Sequence, residues 1–183
     1  MLRLFASKPM LWTLLALPAA WLCLRWAQGE WAEDLVAPSG EWSAGLLIFV
    51  LALSPLATLL PRWTPVRWLV ARRRAFGVAS FGYALLHLLF YAASMGTLAA
   101  VVDEALLAGI WPGWAALIVM VPLALTSNDA AMRRMKAAWK RLQRLAYPAA
   151  VLTLLHWMLV HNSRAEALLW FAPLALLQLL RIG

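Results

Sequence analysis

Long apolar stretches, separated by connectors whose charge alternates in sign, constrain this chain more than any other feature. Residues 10–26, 43–60, 76–99, 107–125, 145–161 and 166–181 form six such stretches, with boundaries approximate. A helix needs about 20 mostly apolar residues to cross the hydrocarbon of a bilayer, so each is a candidate crossing. The first connector holds Glu30, Glu33, Asp34 and Glu41 and no base, whereas the second holds Arg62, Arg67, Arg72, Arg73 and Arg74 and no acid. The third holds Asp103 and Glu104, and the fourth sets Arg133, Arg134, Lys136, Lys140, Arg141 and Arg144 against Asp129 alone. In the fifth, Arg164 balances Glu166, and the N-terminal tail carries Arg3 and Lys8. Lys and Arg accumulate on the cytoplasmic side of membrane proteins. The sequence therefore predicts an all-α, six-helix transmembrane bundle with both termini in the cytoplasm, forming a single domain over 1–183.

Composition agrees and removes several function classes. Apolar residues make up 64% of the chain and charged ones 13%, against roughly 25% charged in soluble domains. The net charge of +8 would point to nucleic acid in a soluble protein. Here topology accounts for it, and the lipid bilayer, not nucleic acid, is the expected partner. Cys23 is the single cysteine, so an intrachain disulfide, a cysteine-based zinc or iron–sulfur site and a C-x-x-C-H haem attachment are all excluded. Trp26, Trp31, Trp42, Trp111 and Trp114 fall near the outer ends of the stretches, and Trp63, Trp68 and Trp139 near the inner ends, as interfacial indoles do. The first stretch also resembles a signal peptide, although no small-x-small cleavage site follows it.

The fourth connector reads as a short amphipathic helix on the inner membrane surface. Thr126, Ser127 and Asn128 are candidate caps. Met132, Met135, Trp139 and Leu142 recur at helical spacing among the basic residues. Anchoring to anionic lipid is the simpler role, and contact with a phosphate or flavin phosphate is the other.

Three histidines carry the candidate chemistry: His87, His156 and His161. His87 lies 13 residues beyond Arg74, and His156 lies 12 beyond Arg144. At about 1.5 Å per residue, both imidazoles stand roughly 18–20 Å from a cytoplasmic basic anchor. Two histidines at matched depth on parallel helices are placed to ligate one haem iron from opposite sides. The alternative is a structural histidine bonded across helices, and spacing alone leaves both open. Ser80, Tyr83, Ala84, Tyr91 and Ser94 share the face of His87, and Ala149 and Thr153 that of His156. Such residues leave room for a macrocycle or for close helix packing. His161 falls near the outer surface, where exposure or hydrogen bonding is the simpler role. No proton-transfer carboxylate is expected within a crossing, which argues against a proton pump or a proton-coupled transporter.

Residues 72–91, RRRAFGVASFGYALLHLLFY, and 123–157, LALTSNDAAMRRMKAAWKRLQRLAYPAAVLTLLHW, resemble the ferric reductase-like transmembrane family. Within it they are similar to the haem-binding subunits of periplasmic protein-methionine-sulfoxide reductase systems. The similarity covers about 40–160. It implies that His87 and His156 are axial ligands of a b-type haem. It also implies that electrons pass from the quinone pool to a periplasmic molybdopterin-containing catalytic subunit, across a bacterial inner membrane. Flavin mononucleotide is a second cofactor described for relatives, with no place for it legible here. Where the family usually has a further histidine before R-L-x-Y, this chain has Gln143, so a single haem is expected. The acidic outer connectors are a candidate docking surface for a basic partner. Outside the reductase system, a free-standing metal reductase and a haem-free assembly factor or carrier remain as alternatives.

Overall fold

The computed structural model describes residues 8–160 and 164–182. Among these, nine helices and no strands occur: α1 (Lys8–Ala27), α2 (Ala32–Leu59), α3 (Thr64–Met95), α4 (Leu98–Glu104), α5 (Trp111–Leu125), α6 (Asp129–Met135), α7 (Ala137–Gln143), α8 (Ala146–Val160) and α9 (Arg164–Ile182). The six predicted stretches reappear as α1, α2, α3, α5, α8 and α9. Among the described residues, α1, α2 and α3 are the helices long and apolar enough to cross a membrane on their own. A fourth span is added if α5 and α6 count as one, but the chain bends by 90° between them. For two of the three helices that fall short, the cause is length. Both α5 and α8 have 15 residues, about 22 Å of helix against a hydrocarbon core of about 30 Å. The chain is thus a multi-pass membrane protein whose number of crossings is less evident from helix length than from charge alternation.

Helices α2 and α3 begin well before their apolar stretches. Glu33, Asp34 and Glu41 are therefore turns of α2, and Arg67, Arg72, Arg73 and Arg74 are turns of α3, not connectors. Pro65 occupies the first turn of α3, where its missing N–H costs nothing.

The expected amphipathic helix is two helices. Lys136, at φ 49° and ψ −115°, breaks α6 from α7, in a conformation few non-glycine residues adopt. Asn128 caps α6 by accepting the Ala131 N–H at 2.8 Å. Thr126 and Ser127 instead donate back to the Pro122 and Leu123 carbonyls. Trp139 is buried against the bundle, and its indole N–H donates to the Thr126 carbonyl at 2.9 Å.

With no hydrophobic drive between helices in lipid, close packing and interhelical hydrogen bonds must hold such a bundle. Ser43 and Ser80 exchange hydroxyl-to-carbonyl bonds at 2.9 and 2.8 Å, joining α2 to α3. Tyr83 enters the backbone ladder of α1 beside Pro18. Its hydroxyl accepts the Ala19 N–H at 3.0 Å and donates to the Leu15 carbonyl at 2.8 Å, spanning a bond the helix would otherwise close itself. Pro55 has no N–H to offer the Leu51 carbonyl, and the Gln178 amide of α9 supplies one at 3.1 Å. Meanwhile α1 leaves Leu14, Leu17, Trp21 and Leu24 about half exposed, as a lipid-facing stripe would.

Candidate functional site

Two helix pairs, α2 with α3 and α5 with α8, build one site between them. Each contributes a histidine seated against a glycine. His87 projects from α3 toward Gly40 of α2, and His156 projects from α8 toward Gly113 of α5. A Cβ on either glycine would stand 2.9 Å from the imidazole Nδ1, so neither position has room for any side chain. His87 Nδ1 bonds the Val36 carbonyl at 2.8 Å, and His156 Nδ1 bonds the Gly109 carbonyl at 2.7 Å. In each case the accepting carbonyl lies four residues before the glycine. Gly109 is available because it precedes α5, and the Gly113 N–H turns to Ile110 instead.

These bonds fix one proton of each ring. A carbonyl oxygen only accepts, so each Nδ1 carries a proton, and in the neutral imidazole Nε2 then carries the lone pair. This is the arrangement in which a backbone carbonyl orients a metal-ligating imidazole and raises its basicity. The ring centroids lie 6.0 Å apart with planes at 84°. Both rings line a cavity of about 460 Å³, within the roughly 300–1,000 Å³ of cofactor pockets.

Of the residues predicted to share the histidine faces, Ala84, Tyr91 and Thr153 line this cavity. Ser80 and Tyr83 do not; they bind α2 and α1. Ser94 bonds its own helix at the Tyr91 carbonyl, and Ala149 is buried without lining the cavity. His161 lies outside the described residues. Gln143 is remote from the two imidazoles' cavity. Its amide donates to the Leu123 carbonyl and the Thr126 hydroxyl at 3.2 and 3.3 Å, tying α7 to the end of α5.

Sequence reasoning missed Gly40, Gly113, Glu41 and Glu166, all of which line the cavity. Glu41 belongs to α2, whose helix starts well before its apolar stretch, so a carboxylate stands at the cavity wall where the sequence reading placed a connector. Tyr91 also reaches the cavity, its hydroxyl donating to Glu104 at 3.0 Å. The signal for the glycines was present: Val36-Ala-Pro-Ser-Gly40 and Gly109-Ile-Trp-Pro-Gly113 each set a proline between a carbonyl and a glycine four residues on.

Outside the cavity, two ion pairs stand out among the described residues. Arg25 pairs with Glu30, and Arg74 pairs with Asp129 at 2.6 Å. The hydrogen bond from the Arg74 guanidinium, then its charge, hold the exposed Asp129 carboxyl below its ordinary range.

Comparison with known proteins matches residues 39–154 to the family described as ferric reductase like transmembrane component. The chain is 38% identical over 178 residues to the protein-methionine-sulfoxide reductase heme-binding subunit MsrQ of Rhodospirillum rubrum, covering 91% of this chain and 82% of that one. It is 36% identical over 183 residues to the MsrQ of Polaromonas naphthalenivorans, covering 94% and 82%. Identity to the MsrQ of Azospira oryzae is 33% over 193 residues, covering 96% and 78%. No solved structure matches. The chain belongs to the ferric reductase-like transmembrane family, within the branch formed by these MsrQ proteins.

Proposed function

We propose that this chain is the haem-binding membrane subunit of a protein-methionine-sulfoxide reductase system, with His87 and His156 as axial ligands of a single b-type haem. The observation that carries the reading is the pair of carbonyl-anchored imidazoles on separate helices, 6.0 Å apart. Two imidazoles bound to one metal through nitrogens at about 2 Å hold their ring centres roughly 6 Å apart. Among the described residues, no group of three or more His, Cys, Asp or Glu gathers around a common point. His87 and His156 would hold the iron of a porphyrin, a group that takes two imidazoles from the protein.

When bound, the haem supplies a one-electron couple inside the bilayer. The protein's part is to fix both imidazoles. The Val36 and Gly109 carbonyls hold each Nδ1 proton, which directs each Nε2 lone pair toward the metal. Gly40 and Gly113 let the rings sit against the neighbouring backbones. Buried surroundings and anchored ligands tune the potential. Gln143, committed to Leu123 and Thr126, offers no second imidazole at the basic end, which supports one haem per chain. In this reading six helices cross the membrane with both termini in the cytoplasm. Electrons enter from the quinone pool and leave singly toward a periplasmic molybdopterin-containing subunit, where methionine sulfoxide is reduced.

The test is the absorbance spectrum of detergent-purified protein, oxidised and then reduced, for the wild type, His87→Ala and His156→Ala. The wild type is expected to show a Soret band that shifts on reduction, and each variant to lose most of its haem. Full haem occupancy in both variants would remove the ligand assignment. No haem in the wild type would favour the haem-free carrier.

A further inference from the structure

The cavity between the two histidines has a one-sided charge. Among the described residues that line it, the charged side chains besides the imidazoles are both carboxylates: Glu41 of α2 and Glu166 of α9. Neither lysine nor arginine joins them on the described wall. A further carboxylate, Glu104 of α4, accepts the hydroxyl of Tyr91, which lines the same cavity. Glu41 and Glu166 are exposed while lining the cavity, which places them at its mouth, and neither is without a partner.

Topology does not account for this wall. The charge bias that orients a membrane protein is carried by Lys and Arg, and acidic residues contribute little to it. Cofactor retention does not account for it either. Haem brings two propionates, and like charges set beside one another oppose binding. What a carboxylate on the wall does is resist the arrival of more negative charge. A cavity of about 460 Å³ is roughly 10 Å across, so an electron placed inside it feels every fixed charge on its wall. The Val36 and Gly109 carbonyls act in the same direction. By accepting the Nδ1 protons they make each Nε2 a more basic ligand, which favours the oxidised metal.

We infer that Glu41 and Glu166 are tuning residues that hold the reduction potential of the haem down, so that its electron passes readily to an acceptor. The inference rests on haem ligation by His87 and His156. The couple concerned is ferric to ferrous iron, with one electron from a quinol-class donor and no bond made or broken at the carboxylates. Both act by their charge, so the amide of glutamine, nearly the same shape, removes the effect.

The experiment is a spectroelectrochemical titration of the detergent-purified full chain at fixed pH and ionic strength. It compares the wild type with Glu41→Gln, Glu166→Gln, the double variant, and the charge-keeping Glu41→Asp and Glu166→Asp. Water at the mouth screens part of each charge. Each Gln variant should therefore raise the ferrous-to-ferric ratio at a given potential about threefold, an upward shift of about 28 mV at about 59 mV per tenfold. The double variant should reach about ninefold, both Asp variants should stay near the wild type, and haem content should not fall. An unchanged midpoint in the double variant, with haem retained, overturns the inference and leaves the ligand assignment standing. Equal shifts in the Asp and Gln variants overturn it too, because shape rather than charge would then be responsible. Haem lost from the Gln variants would show that the carboxylates hold the cofactor in place instead, and a haem-free wild type would remove both the inference and the ligand assignment.

Discussion

Replacing Gly113 with alanine puts a methyl group 2.9 Å from both Nδ1 and Cε1 of His156, where ordinary contact begins at 3.4 Å. The opposing atoms belong to a ring held by a 2.7 Å bond to the Gly109 carbonyl. Relief therefore requires the imidazole to retreat by about half an ångström or α5 to shift from α8. Overpacking of this kind costs about 1–3 kcal/mol. The helical preference of alanine over glycine, up to about 1 kcal/mol, offsets only part of it. Disturbing the group that orients a ligating histidine typically lowers metal affinity by roughly 10–100-fold. Gly40→Ala should act the same way on His87, since its Cβ would also lie 2.9 Å from Nδ1. Gly77→Ala is the control, because open space faces that position. Haem transfer to apomyoglobin, followed by absorbance, measures the affinity. The expected order is the wild type level with Gly77→Ala, and both far above Gly40→Ala and Gly113→Ala. Wild-type retention in both of the latter would refute the claim that the glycines seat the ligands.

Tyr83→Phe removes the hydroxyl that joins Ala19 and Leu15 beside Pro18; a loss of about 1–3 kcal/mol is expected in thermal unfolding, with haem content unchanged. Gln143→Ala should leave the haem spectrum intact and lower stability by about 1 kcal/mol, through loss of the tie between α7 and α5. The Asp129 carboxyl has its folded pKa depressed by Arg74. Its contribution is therefore present above the ordinary carboxylate pKa and is lost as pH falls through the folded value. Protease cleavage in α6 should accelerate across that acid range in the wild type, and Asp129→Asn should cleave at a rate flat across it.

What could be read in the sequence follows from which interactions are local. Helix placement rests on runs of apolar residues, and α1 emerges nearly as expected, whereas α2 and α3 contain their expected stretches but start well before them. The matched depth of His87 and His156 needs only helical rise and a common reference level, so their meeting was legible. Their anchors were not. Val36 and Gly109 act through carbonyls that every residue possesses, and Gly40 and Gly113 act through the side chain they lack. Neither carries a reactive group, and the only trace is the spacing of proline and glycine in residues 36–40 and 109–113. Helix starts were misplaced for a related reason. Acidic and basic turns of α2 and α3 look like connectors to a hydropathy reading, although nothing in Glu41 or Arg72 prevents a helix from continuing. Lys136 breaks α6 from α7 through a backbone conformation that no proline or glycine announces. Trp139 was read as an interfacial indole and Gln143 as a replacement for a family histidine, but their polar ends bond carbonyls at the end of α5, 13 and 20 residues back in the chain.

The central claim is that both imidazoles bind one iron atom. Electron paramagnetic resonance of the oxidised, purified protein tests it most directly. Two axial imidazoles with nearly perpendicular planes predict a strongly anisotropic low-spin ferric signal from one haem per chain, lost in His87→Ala and in His156→Ala. A high-spin signal in the wild type, or a low-spin signal that survives in either variant, would contradict the account.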